Sequence, residues 1–212
     1  MKRVAQLSSL SLFALLLALG AASADPQGSE PRNVPAFRAV ELAGTLEVDV
    51  AVGKAQSVQV SGETDLLGKV TTVVKDGVLV IDTERNMKRR HHLRVSVTVP
   101  DLSSVALSGT GELKITGVAN ESFGISLPGT GQLAVSGTTS SLRVVVDGTG
   151  QIAAKDLAAK SAKVEVNGTG SATLKVSDSL EANVTGTGSI DVHGKPARVK
   201  KSVSGVGSIH IR

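Results

Sequence analysis

The sequence predicts an all-β fold: a single-stranded, right-handed parallel β-helix with coils of about 19 residues and an irregular β N-terminal part. The first observation behind this prediction is a Gly-X-Gly motif that recurs six times between residues 105 and 212, at spacings of 20, 19, 20, 18 and 19 residues. Self-similarity at a constant short period indicates stacked repeats. The second is the alternation of apolar and polar residues around each copy, which is typical of strands with one buried face.

Each repeat is predicted to hold two main strands that meet at the Gly-X-Gly motif. Leu142, Val144 and Val146 precede one copy, and Ile152 and Ala154 follow it. A hairpin sandwich would not keep one register through every repeat, so the pattern favours a coil. About 19 residues at roughly 3.3 Å each give a perimeter near 60 Å, enough for a three-sided coil, with coils about 4.8 Å apart in parallel pairing. Crossover chirality favours the right-handed form.

The glycines of the motif are predicted to form structural corners. A sharp bend needs either a positive φ or a close approach of two backbones, and glycine permits both. A phosphate-binding role is disfavoured, because no copy extends to a dinucleotide-binding or P-loop sequence. The predicted corner residues are Gly109, Gly111, Gly129, Gly131, Gly148, Gly150, Gly168, Gly170, Gly186, Gly188, Gly205 and Gly207.

The first 24 residues have the three regions of a secretory signal peptide: a basic start, an apolar run over residues 10–19, and Ala22-Ser23-Ala24 before the expected cleavage site. We therefore expect export to the periplasm or the cell surface of a bacterium. The apolar run is too short to span a membrane comfortably, and no later stretch approaches that length. Residues 25–36 contain three prolines and few apolar groups, which predicts a flexible leader before a single domain over 37–212.

The composition excludes several classes of function. The chain has no Cys, so neither a disulfide nor a thiolate metal site is available. Removal of Lys2 and Arg3 with the signal peptide lowers the formal net charge from +4 to +2, so the overall charge gives no support to a general polyanion-binding role, and no nucleic-acid partner is predicted. No cofactor is predicted.

Residues 37–104 are predicted to form irregular opening coils and a hairpin that caps the N-terminal end. The dipeptide Asp76-Gly77 stands between two apolar runs and is typical of a type I′ turn. A basic cluster follows within residues 85–94. It would either contact an anion or an acidic partner, or serve as a solvated loop beside edge strands. The candidate contact residues are Lys88, Arg89, Arg90, His91 and His92.

The predicted outer rows hold little that resembles a catalytic site. A β-helix enzyme acting on polysaccharide is expected to gather carboxylates on one face. The row after the corner contains one, and it consists of Glu112, Gln132, Gln151, Ser171, Ser189 and Ser208. Asp147 and Asn167 should stack as turn residues. Asp191, His193 and His210 form the one compact titratable group, without a nucleophile or further metal ligands beside it, so no catalytic or metal residue is predicted.

The last coil departs from the pattern of the others. Lys201 occupies a position that is apolar in the earlier copies, and it lies in a basic run that begins at Lys195 and includes Pro196. Charge and proline on a terminal strand protect it against uncontrolled pairing. The alternative is that another subunit covers this coil, which makes a homo-oligomer a candidate.

The passage VTVPDLSSVALSGTG at Val97–Gly111, together with the repeated corners and the signal peptide, resembles the bacterial family of unknown-function domains described as putative auto-transporter adhesin, head GIN domain. The resemblance extends over residues 37–212 and implies a right-handed parallel β-helix that is exported. It leads us to expect a non-enzymatic binding or scaffold module whose partner is an envelope glycan or protein. Two alternatives stay open: a polysaccharide lyase or hydrolase, and an accessory protein of envelope-stress signalling that uses the basic cluster.

Overall fold

The structure, a computed structural model, describes residues 27–84 and 93–212 and is a parallel β-solenoid of about five turns, as the sequence predicts. A 3-10 helix at Thr64–Lys69 interrupts the strands. The strands are β1 (Gln27–Pro31), β2 (Ala39–Leu42), β3 (Glu47–Val52), β4 (Ser57–Glu63), β5 (Val70–Lys75), β6 (Val78–Thr83), β7 (Arg94–Val99), β8 (Ser104–Leu107), β9 (Glu112–Leu127), β10 (Gln132–Val146), β11 (Gln151–Val166), β12 (Ser171–Val184), β13 (Ser189–His193), β14 (Arg198–Val203) and β15 (Ser208–Ile211).

Four long strands, β9 to β12, form the body of the solenoid and pair in parallel, each with the next. The strand pairing runs almost without interruption from one Gly-X-Gly motif to the next, so the two strands predicted for each repeat are joined into one. The second bend of the coil lies inside this long strand, where the register shifts, as between Ala154 and Ala158.

The variation in repeat length is located at this second bend. Gln151 pairs with Ser171, twenty residues later, whereas Ala162 pairs with Leu180, only eighteen residues later. The Gly-X-Gly corner therefore keeps a constant geometry, and the opposite bend absorbs the added or missing residues.

The core is the row of inward-facing apolar side chains predicted from the alternation. Leu133, Val135, Leu142, Val144 and Val146 in β10 are each at most 2% exposed. Burying such a side chain contributes about 1.5 to 3 kcal/mol. Because equivalent residues on successive coils are buried in the same way, the stack supplies one continuous core.

The Gly-X-Gly corners are held by hydrogen bonds between coils. The amide of Thr149 donates to the carbonyl of Gly129 (3.2 Å), and the amide of Gln151 donates to the carbonyl of Gly131 (2.9 Å). A Cβ atom on Gly148 would overlap the Gly129 carbonyl oxygen, and the other motif glycines are equally close to the coil before them. Among the twelve, only Gly205 has a positive φ, so close approach of the backbones, and not a left-handed conformation, explains these glycines.

The N-terminal coils do not stack in chain order. β6 and β7 form the outermost coil, and β2 and β3 lie between it and the coil of β8 and β9. The chain therefore forms the second coil first, crosses outward, and returns. Nothing in the local sequence pattern predicts this order.

The predicted hairpin is confirmed, and it lies at the N-terminal end. Lys75 pairs with Val78 across a two-residue turn in which Asp76 and Gly77 have φ values of 50° and 76°. β5 thereby adds an antiparallel edge beside β6, while β4 adds another beside β7. The 3-10 helix connects these two edges and buries Leu66 and Leu67 against the core.

The flexible leader predicted for residues 25–36 is wrong for the part that the structure describes. Residues Gln27–Pro31 form β1, which pairs antiparallel with β4 from Gln27 opposite Glu63 to Pro31 opposite Gln59. Arg32 extends the contact, because its guanidinium donates to the Leu67 carbonyl (2.7 Å). A proline is compatible with pairing in an edge strand where its missing N–H does not face the neighbouring strand, and the next amide, that of Arg32, donates to the Val58 carbonyl (2.8 Å).

Candidate functional site

The predicted basic contact lies outside the described residues. It comprises Lys88, Arg89, Arg90, His91 and His92. Among the described residues nearby, the Ala43 amide donates to the Ile81 carbonyl (2.8 Å), and the Glu47 amide donates to the Leu93 carbonyl (3.5 Å).

The predicted titratable group on the last coils is only partly assembled. Asp191 lies opposite His210, whereas His193 lies opposite Lys175 on the other neighbouring strand. The Asp191 carboxylate accepts a hydrogen bond from Arg212 (3.3 Å). Within residues 27–84 and 93–212, no three His, Cys, Asp or Glu side chains come together in a way that would hold a metal ion.

Asp147 and Asn167 stack on adjacent coils beside the corner, as the repeat predicts. The Asn167 Nδ2 atom donates to the Asp147 Oδ1 atom at 2.7 Å. Two residues further on, the Thr169 and Thr149 hydroxyl oxygens are 3.4 Å apart. Both contacts run along the solenoid axis, so they contribute to the cohesion of the stack.

Arg94 joins two carboxylates of the neighbouring strand on the face that follows the corner. Its Nη1 atom donates to Asp49 (2.8 Å) and its Nη2 atom to Glu47 (2.5 Å). The charges of Asp49 and Glu47 raise the pKa of the Arg94 guanidinium above its ordinary value. The guanidinium is about half exposed, so this cluster is a surface contact of modest stabilising value.

A charged network on the face before the corner was missed in the sequence, because the outer rows nearest the corner are mostly uncharged. Glu165 accepts from Arg143 (3.4 Å) and Lys163 (3.2 Å), and Glu181 lies 3.8 Å from Lys163 and 4.0 Å from Lys200. The network crosses four coils. Each cation in it is already neutralised by a carboxylate.

A groove lies over the second bend of the coil, away from the Gly-X-Gly corners. We call this concave surface of the described chain the corner groove. It has a volume of about 540 Å³ and crosses successive coils from Asn120 to Lys195. Its floor consists of Thr139, Ala159 and Val176, all at most 5% exposed. Two of these floor residues, Thr139 and Ala159, have small side chains. The surface is therefore recessed at positions that bulkier side chains would fill.

The floor continues onto the next coil through Gly194. A Cβ atom on Gly194, which has a φ of 115°, would overlap the Val176 carbonyl oxygen. Glycine at this place therefore lets the coil of β13 approach β12 closely and extends the groove by one coil.

Two rims border the floor, each formed by the residues next to it in sequence. The residues before the floor, Thr138, Ala158 and Lys175, pair in register. The residues after the floor and after Gly194 are Ser140, Lys160, Ser177 and Lys195. Within the described chain, Lys160, Lys175 and Lys195 form no ion pair.

A smaller groove of about 400 Å³ lies beside the first, on the face before the corner. Its cations are Lys163, Arg198 and Lys200, and each contacts a carboxylate of a neighbouring strand, as Arg198 contacts Asp178 at 3.0 Å. The two grooves therefore differ in their electrostatics: one presents unpaired lysines, and the other presents cations that are already neutralised.

No helix among the described residues has the length and apolar character needed to cross a membrane.

The chain was compared with known proteins. The family model described as putative auto-transporter adhesin, head GIN domain, matches residues 36–196. A putative adhesin of Bacteroides fragilis NCTC 9343 has a similar crystal structure, with a TM-score of 0.73 and 21% identity over 89% of this chain and 98% of that one. A putative adhesin of Parabacteroides merdae ATCC 43184 gives a TM-score of 0.51 and 18% identity over 88% and 96%. At these identities the likeness is one of fold. No curated protein matches the sequence.

Proposed function

The chain belongs to the family described as putative auto-transporter adhesin, head GIN domain, as its motifs predict, and from this membership we propose that it is an exported, non-enzymatic, adhesin-like binding module. Its ligand would be a glycan or protein of the cell envelope or cell surface. The family and the adhesins of similar fold support an adhesin-like surface role.

The observation that carries this proposal is the corner groove. It is open, it crosses several coils, and it presents lysines without carboxylate partners in the described chain. Concave surfaces with a few convergent polar groups are the usual places where proteins hold ligands. The rigid stack on either side supports binding, because neighbouring coils fix the position of each rim residue.

Retention on envelope material tests the proposal directly. The purified chain, freed of its signal peptide, is incubated with isolated bacterial envelopes and with their separated glycan, lipid and protein fractions. We expect saturable retention on a glycan or protein fraction, and none for the same chain unfolded by heat. Absence of retention on every fraction would remove the support for a binding module.

The same fractions distinguish binding from catalysis. After prolonged incubation with uronic-acid and neutral glycans, a binding module leaves the number of reducing ends and of unsaturated products unchanged. An increase in either product, in proportion to the amount of chain, would establish the alternative of a polysaccharide lyase or hydrolase.

Export is tested by the mass of the protein recovered from outside the cytoplasm. If the signal peptide is cleaved after Ala24, the recovered chain begins at Asp25. Fractionation of periplasm, outer surface and medium then assigns the compartment. Recovery of the full-length chain from the cytoplasm alone would contradict this part of the proposal.

A homo-oligomer formed through the last coil is a further part of the proposal. Val199, Val203 and Ile211 are each about 40% exposed there, an apolar surface that a second copy would cover. Lys201 stands between the two valines and opposes such a contact. The mass of the purified chain in solution shows whether it is a monomer or a homo-oligomer.

A further inference from the structure

We infer that the corner groove binds a linear acidic polysaccharide, which lies along the solenoid axis with successive anionic sugar units facing successive coils. This inference rests on the proposed function and deepens it, because it names the class of ligand that the module holds. It is carried by the arrangement of the lysines, by their lack of partners, and by the chemistry of the groove walls.

The three lysines are distributed one to a coil. Lys160 lies on β11, Lys175 on β12, and Lys195 follows Gly194 after β13. Parallel strands are about 4.8 Å apart, so successive cations advance by that rise along the axis while they alternate between the rims, with Lys175 on one rim and Lys160 and Lys195 on the other. A pyranose unit in an extended chain has a similar length. One carboxylate on each sugar would therefore meet one lysine on each coil.

The lysines are available for a ligand because no described carboxylate neutralises them. Lys163, Arg198 and Lys200 in the adjacent groove pair with Glu165, Glu181 and Asp178 instead. Unpaired cations along a recess raise the local concentration of anions, even in a chain whose net charge is small. Charge thus distinguishes the corner groove from its neighbour as the place for an anionic chain.

The groove walls supply groups that suit sugar hydroxyls. Thr138 and Ser140 have hydroxyls on opposite rims, with no hydrogen-bond partner within the described residues. A hydroxyl can both donate and accept, as a sugar hydroxyl does. The exposed methyl group of Ala158 on one rim gives the carbon face of a sugar ring an apolar surface to contact.

Within the described residues, the lack of exposed Phe, Tyr and Trp side chains disfavours other ligand classes. The chain has no Trp or Tyr, and Phe37 and Phe123 are at most 4% exposed. Single-stranded nucleic acids are usually held by stacking of bases on aromatic rings, which this groove cannot provide. Neutral sugars commonly depend on stacking in the same way, so recognition here must come from charge and hydroxyl groups.

The two nearby carboxylates confine the binding to the C-terminal coils. Glu121 follows Asn120 at the N-terminal end of the groove, where it would repel an anionic chain. Asp178 follows Ser177 but is held by Arg198 at 3.0 Å. The anionic chain is therefore expected over the coils from β10 to β13, beyond Glu121.

The test uses oligogalacturonate immobilised on a sensor surface, with its fully methyl-esterified form as the uncharged reference. We expect the chain to bind the acid form, to bind more weakly as salt is raised, and not to bind the ester. The variant K160Q/K175Q/K195Q should lose at least about tenfold in affinity, roughly what three weak charge contacts supply together. The matched variant R143Q/K163Q/K200Q removes the same number of positive charges from the neighbouring charged network, leaves Arg198 paired with Asp178, and should lose less than about threefold in affinity.

Several outcomes would overturn the inference. Equal losses in the two triple variants would show that general charge, and not the groove, holds the ligand. Equal binding of the ester, or tighter binding of polyglutamate or a single-stranded oligonucleotide of similar length, would exclude the acidic glycan. Retention of the unmodified chain on envelope fractions without binding to oligogalacturonate would refute this inference while the proposed function stands. Circular dichroism and the thermal midpoint show that both variants are folded.

Discussion

Gly148 lies so close to Gly129 on the preceding coil that the Gly129 carbonyl oxygen occupies the place of a Gly148 Cβ atom. The same relationship recurs at every Gly-X-Gly corner. Adjacent coils are about 4.8 Å apart, and at this bend that spacing leaves no room for a side chain larger than a hydrogen atom. The corner therefore requires glycine.

Replacement of Gly148 by Ala is therefore expected to be severe. The added methyl group must displace the backbone of a neighbouring coil, which costs about 3 kcal/mol in the free energy of unfolding. Gly68→Ala is the matched control, because no atom lies within 4 Å of its Cβ position and its φ is not positive. Chemical denaturation of both variants gives the comparison. A loss at Gly148 no larger than the loss at Gly68 would contradict the steric explanation.

Gly77 tests the other property of glycine, its conformational freedom. Nothing lies within 4 Å of its Cβ position, but its φ is 76° in the hairpin turn. Gly77→Ala should lower the free energy of unfolding by about 1 kcal/mol, since an alanine is strained in a left-handed conformation. Gly68→Ala serves again as the control, for it has the same open space without the positive φ. Equal stability of the two variants would show that the turn adapts.

Much of the core was predictable because a period of two leaves only one choice of face. Once the alternation assigns Val144 and Val164 to the inward face, their equivalents on the other coils are assigned too, and the structure buries those from Val105 to Ala182. The corner glycines were predictable as bends for the same reason. Which property of glycine matters there was not, because sequence spacing does not measure the distance between two backbones.

The corner groove was not predictable, because it lies where the repeats differ in length. Between Ala154 and Ala158 the register shifts, so Lys160, Lys175 and Lys195 do not occupy one position of an aligned repeat. Their convergence on the two rims of one groove appears only when the strands are paired. The order of the N-terminal coils escaped prediction for a related reason: a half-buried strand such as β2 shows its buried face in the sequence, but not its neighbours.

The stacked pair of Asp147 and Asn167 provides a test of the polar ladder. In Asn167→Asp, a hydrogen bond of 2.7 Å is replaced by the repulsion of two carboxylates on adjacent coils. We expect a loss of about 1 kcal/mol in the free energy of unfolding at low salt and neutral pH. About 1 M salt should remove much of this loss, because the screening length falls to about 3 Å.

Thr185→Asp is the matched control for this change. It places a carboxylate in the same row one coil further on, beside the amide of Asn167 and two coils from Asp147. Its stability should change little and should depend weakly on salt. Equal sensitivity of the two variants to salt would mean that the contact between adjacent coils has no special part in the effect.

Lys201 places a positive charge in the inward row of the last coil, where it is expected to oppose further pairing. It lies opposite Ala182 in an otherwise apolar row, and its neighbours Val199 and Val203 are more than 40% exposed. Lys201→Val would make the row continuous, so we expect the mean mass in light scattering to rise with concentration more steeply than for the unmodified chain. Lys200→Val removes the same charge from the outer face, opposite Glu181, and should leave the mass unchanged. Identical behaviour of the two variants would show that Lys201 has no protective role, because only its inward position distinguishes it from Lys200.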